Sequence, residues 1–369
     1  MRSEVLLYGY GLVCLSMLVF NISYNIILRR SDRKFDQKTA ALAQMVRIQL
    51  NRVRAGMQIE KKHMTQLQKK LSNINYLIAF DPVMTNVLDQ NSDLPEMTYK
   101  KHLYPVFLQL AIYYRDRDSI EAAYFAYFIS KHNIRGEGAA LEDILVEYMK
   151  KESLYSHVNA FQALCDIGSA ESVVKAIMLL DRRGSIPHEK ILTDILLSFS
   201  GSCKELIDRF WEQFDKLSVK TQLAILNYIR FQTGEYCEKM YEIMTCVRRD
   251  KELRLAAIRY FGKYRYEPAK RVLLDFIADK DPQGWEYTAT SVTSIATYEG
   301  EDVKAALIHA VHSANWYVRF NAANSLEALH LDYTDLIDVL SGSDRYAREM
   351  IMYRLDFERM KIEAGGVDA

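Results

Sequence analysis

The hydrophobic positions of the chain fall into three successive patterns. The first is an apolar run from Val5 to Leu28 (VLLYGYGLVCLSMLVFNISYNIIL) that contains no charged residue. A helix rises about 1.5 Å per residue, so this run reaches roughly 36 Å, enough to cross a hydrocarbon core of about 30 Å with some tilt. The pattern predicts one transmembrane helix over residues 1–28. A cleaved signal peptide has a shorter apolar region that closes on a small-residue site, whereas this run ends in Asn25-Ile-Ile-Leu-Arg-Arg. Asn21, Tyr24 and Asn25 share one face of the helix, where they meet interfacial water or a neighbouring helix.

The second pattern is a seven-residue repeat. Ala43, Leu50, Met57, Met64, Leu71 and Ile78 occupy one seam position, and Val46, Val53, Glu60, Leu67 and Ile74 the other. Only Glu60 is polar. Such a stripe suits either a coiled coil or a long helix docked on its own domain, and it marks residues 29–79 as a helical stalk. Asp81-Pro82 and the stretch Asp89-Gln-Asn-Ser-Asp-Leu-Pro95 are turn signals, which suggest a linker over 80–97.

The third pattern fills residues 98–357 with amphipathic helical stretches separated by short polar turns. Equivalent apolar or small positions recur at Ala160, Ile191, Leu223, Ala257, Ala289, Ala322 and Ile351, at intervals of 31, 32, 34, 32, 33 and 29 residues, with a weaker match at Ala122 or Ala123. Paired helices stacked in a solenoid need small residues where one helix crosses closely over another, which gives the alanines a physical reason. Residues 358–369 have no such pattern and are expected to form a flexible tail.

The clearest unit is Val318-Arg-Phe-Asn-Ala-Ala-Asn-Ser-Leu326, with a polar turn residue before it. Asp250 and Arg254, Asn315 and Arg319, and Asp344 and Arg348 repeat one spacing from turn residue to arginine. In these residues the chain resembles the HEAT-repeat family, whose second helices open with Asp-x-x-Val-Arg-x-x-Ala-Ala-x-x-Leu. The resemblance covers Met97 to Asp356 and implies an all-α fold, an α-solenoid of helix pairs in which those six residues form a structural ladder. The unit after Asp281-Pro282 departs from it, with Trp285-Glu286 in place of Val-Arg. The tetratricopeptide repeat has a similar period, but its Trp-x-x-Leu-Gly-x-x-Tyr opening is absent.

Charge separates these segments. The whole chain carries 48 basic and 48 acidic residues. Residues 29–70, however, hold twelve basic residues against three acidic ones, a net +9, and residues 71–369 hold 35 basic against 44 acidic, a net −9. Arg29, Arg30, Arg33 and Lys34 directly follow the apolar run. Juxtamembrane Lys and Arg contact anionic headgroups and favour the cytoplasmic side, so the expected orientation is N-terminus outside and C-terminal domain inside, at the cell membrane. An acidic body disfavours nucleic acid as a partner. Five cysteines without a C-x-x-C spacing argue against a disulfide framework or a structural zinc site.

Chemistry is sparse. His309 and His312 share a helix face without a third ligand, and His188-Glu189 is similar to one of the His-Glu pairs of HEAT-repeat hydroxylases, which need several. No phosphate-loop, nucleophile-elbow or dinucleotide motif occurs. No catalytic residue, cofactor or metal is assigned, and the chain is expected not to be an enzyme. Tyr113, Tyr114, Trp285 and Trp316 are candidate partner-binding residues, since exposed Tyr and Trp bury much area with few rotors. The expected function is that of a membrane-anchored scaffold for membrane-associated protein partners, with self-association through span or stalk. The resemblance to membrane-anchored HEAT proteins of bacteria implies service to a cell-envelope machine such as an exopolysaccharide glycosyltransferase. The alternatives are a HEAT-like enzyme of lyase or hydroxylase type and an extracytoplasmic envelope-binding module.

Overall fold

The computed structural model describes residues 2–89, 93–136, 138–279, 282–331 and 333–365. The fold is all-α, with no strand among the described residues, and is built of successive packed helices after one long N-terminal helix that begins apolar. The chain divides into two compact units, Met1–Leu180 with Ser198–Ser202, and Asp181–Leu197 with Cys203–Ala369.

The first unit opens with α1 (Arg2–Arg54), a single continuous helix. From Tyr8 to Lys34 every residue is exposed. Among the described residues α1 is the one helix long and apolar enough to cross a membrane. Its last turns behave differently. Leu42, Val46 and Leu50, spaced four apart, are buried against α3 (Ile74–Val83) and α4 (Leu94–Arg115). At Gly56, whose φ of +74° lies in the left-handed region that glycine enters at no steric cost, the chain turns and re-enters helix as α2 (Lys61–Leu71).

That turn undoes the seven-residue seam. Met57 and Ile78 are exposed, while Leu42 and Gln49, which lie off the seam, are buried. A turn between two helices resets their phase, so a period counted across it has no geometric meaning. The C-terminal half of the stalk is docked as the first helices of the packed unit, which removes the coiled-coil expectation for it. Tyr114 donates from its hydroxyl to the Leu71 carbonyl at 2.7 Å, the His63 ring and the Tyr99 hydroxyl meet at 2.7 Å, and Arg54 pairs with the buried Glu96 at 2.6 Å.

The linker signal at Asp81-Pro82 is overridden as well. Pro82 sits inside α3, and the chain continues as a wider π-turn through Met84–Asp89. Proline lacks the N–H that an α-helix needs there, but burial of Phe80, Val83, Met84 and Leu88 holds the segment helical. Positions 90–92 of the turn signal lie outside the described residues. A buried ion network secures the π-turn to α5 (Ser119–Lys131) and the turn that follows it. His132 Nε2 lies 2.7 Å from Asp81 Oδ1 and Nδ1 2.6 Å from Asp89 Oδ2, with Lys131 on Asp81 and Lys100 on Asp89. Two layers result. Helices α1, α3, α5 and α7 (Leu154–Ile167) pack side by side in one, and α2, α4 and α6 (Ala140–Glu147) in the other. The unit ends with α8 (Ala170–Arg182), whose last two residues fall in the second unit.

In the second unit one layer is α9 (Glu189–Leu197), α11 (Val219–Gln232), α13 (Lys251–Phe261), α15 (Trp285–Ile295), α17 (Trp316–Ala328) and α19 (Arg345–Gly365). The other contains α12 (Cys237–Thr245), α14 (Glu267–Ala278) and α16 (Glu301–Val311). The short helices α10 (Cys203–Gln213) and α18 (Ile337–Ser341) pack on α11 and α19. Ala257, Ala289, Ala322 and Ile351 are buried at the helix crossings, as is Ala160 in the first unit. Ile191, however, is exposed, and the buried equivalents in α9 and α11 are Leu192 and Ala224, one residue later than the sequence spacing suggested. Side chains tie neighbouring units at this register: Asn321 donates to the Ala289 carbonyl at 3.0 Å, and in the first unit Asn159 donates to that of Ala123 at 3.0 Å. The latter contact selects Ala123 over Ala122 as the repeat position. Helix α19 also extends through much of the expected tail, while residues 366–369 lie outside the described residues.

Candidate functional site

Three second helices of the repeat, α13, α17 and α19, start with a side-chain cap that orients the first turn. Asp250 Oδ1 accepts from the Glu252 N–H, Asn315 Oδ1 from those of Tyr317 and Val318, and Asp344 Oδ1 from those of Tyr346 and Ala347. The arginine four residues later folds back onto the preceding turn. Arg254 donates to the Met244 carbonyl at 3.0 Å, Arg319 to that of Ser313 at 2.6 Å, and Arg348 to that of Gly342 at 3.2 Å. The six ladder residues therefore act mostly within their own unit. The link onward from Arg254 is aromatic: its guanidinium lies over the rings of Phe276 and Tyr287 and bonds the Tyr287 hydroxyl at 3.3 Å. Lys251 pairs with Glu286 at 2.5 Å, beside the position where the sequence departs from the repeat. Arg319 reaches Asp344 at 3.8 Å.

Aromatic side chains project from the first turns of α15, α17 and α19, the last two capped by Asn315 and Asp344 and the first starting at Gly284 without a side-chain cap. Trp316 stacks on Phe320 with ring centroids 4.9 Å apart and meets Tyr317 edge-on at 5.2 Å, while Tyr317 stacks on Trp285 at 5.4 Å. Arg354 lies over Phe320 at 4.8 Å and Arg319 over Tyr346 at 5.4 Å. Trp316 and Tyr317 remain 56% and 57% exposed, Tyr346 70% and Tyr353 63%, while Trp285 and Phe320 are half-buried. Beside Trp285 opens a cleft of about 520 Å³, walled by Ile277, Thr288, His309, His312 and Val318.

The structure thus brings Trp285 and Trp316 together through Tyr317. Sequence reasoning missed Tyr317, Phe320, Tyr346 and Arg354. The available signal was positional, because Trp285 and Trp316 are both the first residue of a repeat's second helix. Tyr113 and Tyr114 lie elsewhere and do different work. Tyr114 is fully buried, its phenol pushed up by burial first and then by Glu121, so it is a core residue and not a partner-binding one. Tyr113 is half-buried under the Arg117 guanidinium. His312 bonds Asp344 at 3.0 Å, and among the described residues no group of three His, Cys, Asp or Glu side chains is placed to hold a metal ion.

The basic residues of the stalk also separate. Arg29, Arg30, Arg33 and Lys34 are exposed on α1 just after Leu28. Lys38 and Lys70 instead both lie over the Tyr76 ring, at 5.0 and 5.1 Å, Arg52 pairs with Glu60 at 3.2 Å, and Arg54 with Glu96. At about 1.5 Å per residue Arg52 lies roughly 36 Å along α1 from Leu28, several Debye lengths away, whereas Lys34 lies about 9 Å away.

The helix pairs and their capped, aromatic-bearing turns define an all-helical repeat protein. No family model matches the sequence, and no curated protein matches it. Among solved structures the chain is similar to human deoxyhypusine hydroxylase in complex with glycerol, at 15% identity, covering 80% of this chain and 95% of that one, with a TM-score of 0.28. At that TM-score the likeness carries no activity across. The neighbour is nevertheless an enzyme, and this overturns the expectation that the chain is not one, because that expectation rested only on missing motifs.

Proposed function

We propose that the chain is a membrane-tethered adaptor whose α1 crosses the bilayer and whose second unit binds a membrane-associated protein through the aromatic ridge. The observation that carries this reading is the ridge itself, where Trp316 and Tyr317 of α17 and Tyr346 and Tyr353 of α19 stay 56–70% exposed beside the half-buried Trp285 of α15. Rings held in place by stacking and by the Asn315 and Asp344 caps lose little freedom when a partner covers them, which favours tight association. The tether is supported by the exposed apolar face of α1 from Tyr8 onward, continuous in one helix with the turns that dock on the body. Such a connection holds a partner at the membrane and raises its local concentration. Arg29, Arg30, Arg33 and Lys34 support an orientation with the body in the cytoplasm and contact with anionic headgroups. A cell-envelope assembly is the class of partner this location favours.

The test is a photocrosslinking amino acid placed at Tyr317 or Tyr346 of the full-length chain in cells. A discrete protein adduct in the membrane fraction, absent when the probe sits at the exposed Val247, supports the proposal. Equal labelling at all three positions refutes it.

A further inference from the structure

A second surface of the second unit carries a charge pattern that protein docking on the ridge does not use. Helices α11, α13 and α15 enclose a groove of about 570 Å³, lined by Arg230, Phe231, Arg259, Lys263, Thr290 and Thr293 among others, with no carboxylate in its wall among the described residues. Three cations therefore share one wall with no counter-charge in it, in a body with a net negative charge. Several other Arg and Lys side chains of this unit are paired: Arg249, Lys251, Arg265, Lys270 and Lys304 each meet a carboxylate within 3.0 Å. Among the described residues neither Arg230 nor Arg259 has such a partner.

The two guanidiniums lie close enough to disfavour one another. Burial first, and then the Arg259 charge, hold Arg230 below its ordinary pKa. Arg230 is half-buried over the Phe231 ring at 4.9 Å, which fixes its plane, while Arg259 is exposed. Lys263 is anchored by the Arg230 and Phe231 carbonyls at 3.1 and 3.2 Å, leaving part of its charge for the groove. Opposite them the Thr293 hydroxyl donates to the Ala289 carbonyl, and among the described residues no acceptor is placed for the hydroxyl of Thr290. Gly262 lets these walls approach, since a Cβ there would lie 3.0 Å from the Ser294 Cα.

We propose that this groove binds a phosphate group, as a phosphomonoester or phosphoanhydride. Arginine forks match oxyanions bidentately, and two forks with an ammonium and a hydroxyl supply more donors than the two oxygens of a carboxylate can accept. A phosphate with three terminal oxygens uses them, and its charge relieves the repulsion between Arg230 and Arg259. The half-exposed Phe231 ring offers an apolar wall to whatever carries the phosphate.

The test uses the full-length chain in an uncharged detergent, with inorganic pyrophosphate as the probe, titrated calorimetrically at fixed ionic strength. Saturable binding is expected, weakened at least tenfold in Arg259→Gln and unchanged in a variant with Arg29, Arg30, Arg33 and Lys34 all replaced by Gln. Arg259 is exposed, so its replacement leaves folding intact, and Arg230→Gln serves as a second variant with its melting curve checked. Malonate, a dicarboxylate, is expected to bind at least tenfold more weakly than pyrophosphate. No saturable binding in the millimolar range overturns the proposal, as does an unchanged affinity in Arg259→Gln. Loss of binding in the α1 variant instead would assign the affinity to the basic band after Leu28. Equal binding of malonate would overturn the phosphate assignment.

Discussion

Replacing His132 with Ala tests whether the docked stalk is held by its buried ion network. Both ring nitrogens face carboxylate oxygens, at 2.7 Å from Asp81 and 2.6 Å from Asp89. The ring side chain is 1% exposed, and the two carboxylates 18% and 29%. Hydrogen bonds to charged groups contribute about 1.5–3 kcal/mol each, and stranding a buried charge costs about 3–5 kcal/mol. Lys131 and Lys100 stay in place at 2.7 and 2.8 Å, and both carboxylates keep some water, so the expected loss is about 2–4 kcal/mol. It should be local, read as faster amide hydrogen exchange in the π-turn at Met84–Asp89 and in α5, because a chain of two units need not unfold in one step.

The pH dependence has a definite sign. Burial raises the Asp89 pKa, but hydrogen bonds from His132 and Lys100 outweigh it, and the carboxyl stands below its ordinary value. A depressed folded pKa adds stability that is present above the unfolded carboxylate pKa of about 4 and is lost as pH falls through the lower folded value. Without His132, burial acts with less opposition, so acid should loosen this segment at higher pH in the variant. An exchange profile and acid midpoint matching the wild type would refute the network's role.

Three further outcomes follow from the same structure. A chain beginning at residue 36 should remain folded and leave the membrane fraction, whereas one beginning at residue 80 should melt at much lower temperature. The second loses Leu42, Val46, Leu50, Leu67, Leu71 and Leu77 from the core, at about 1.5–3 kcal/mol each, and circular dichroism would check it. Trp316→Ala should shift stability by less than about 0.5 kcal/mol, because the ring is mostly exposed, yet reduce partner crosslinking roughly tenfold or more. Gly262→Ala should cost about 1–3 kcal/mol in denaturant unfolding, since the added Cβ would press on the Ser294 backbone at 3.0 Å.

Much of the architecture was legible in local sequence. A long uncharged apolar run and a small-residue position recurring about every 32 residues are one-dimensional signals, and each fixes an element by its own period. Leu192 and Ala224 show the limit of that reading, because two adjacent apolar residues satisfy a helical period equally well and only the neighbouring helix decides which one is covered. The aromatic candidates show it again. Tyr113 and Tyr114 differ by one residue, but the rotation of about 100° between neighbours on a helix puts Tyr114 into the core and leaves Tyr113 half-buried.

The sequence by itself determined the helical class, the repeat period, the apolar run and the opposite charges of stalk and body, because composition and periodicity act along the chain. Tertiary structure decided where the packed body begins. Gly56 turned the seven-residue seam into two helices of different phase, and burial of Phe80, Val83, Met84 and Leu88 drew a segment with linker composition into helix. It also decided which charges are neutralised. Arg52, Arg54, Lys38 and Lys70 find partners in the fold, while Arg230 and Arg259, unremarkable in the sequence, come to share one groove because helices from different repeats lie side by side. Contacts between residues some thirty positions apart depend on packing, and no local pattern encodes them.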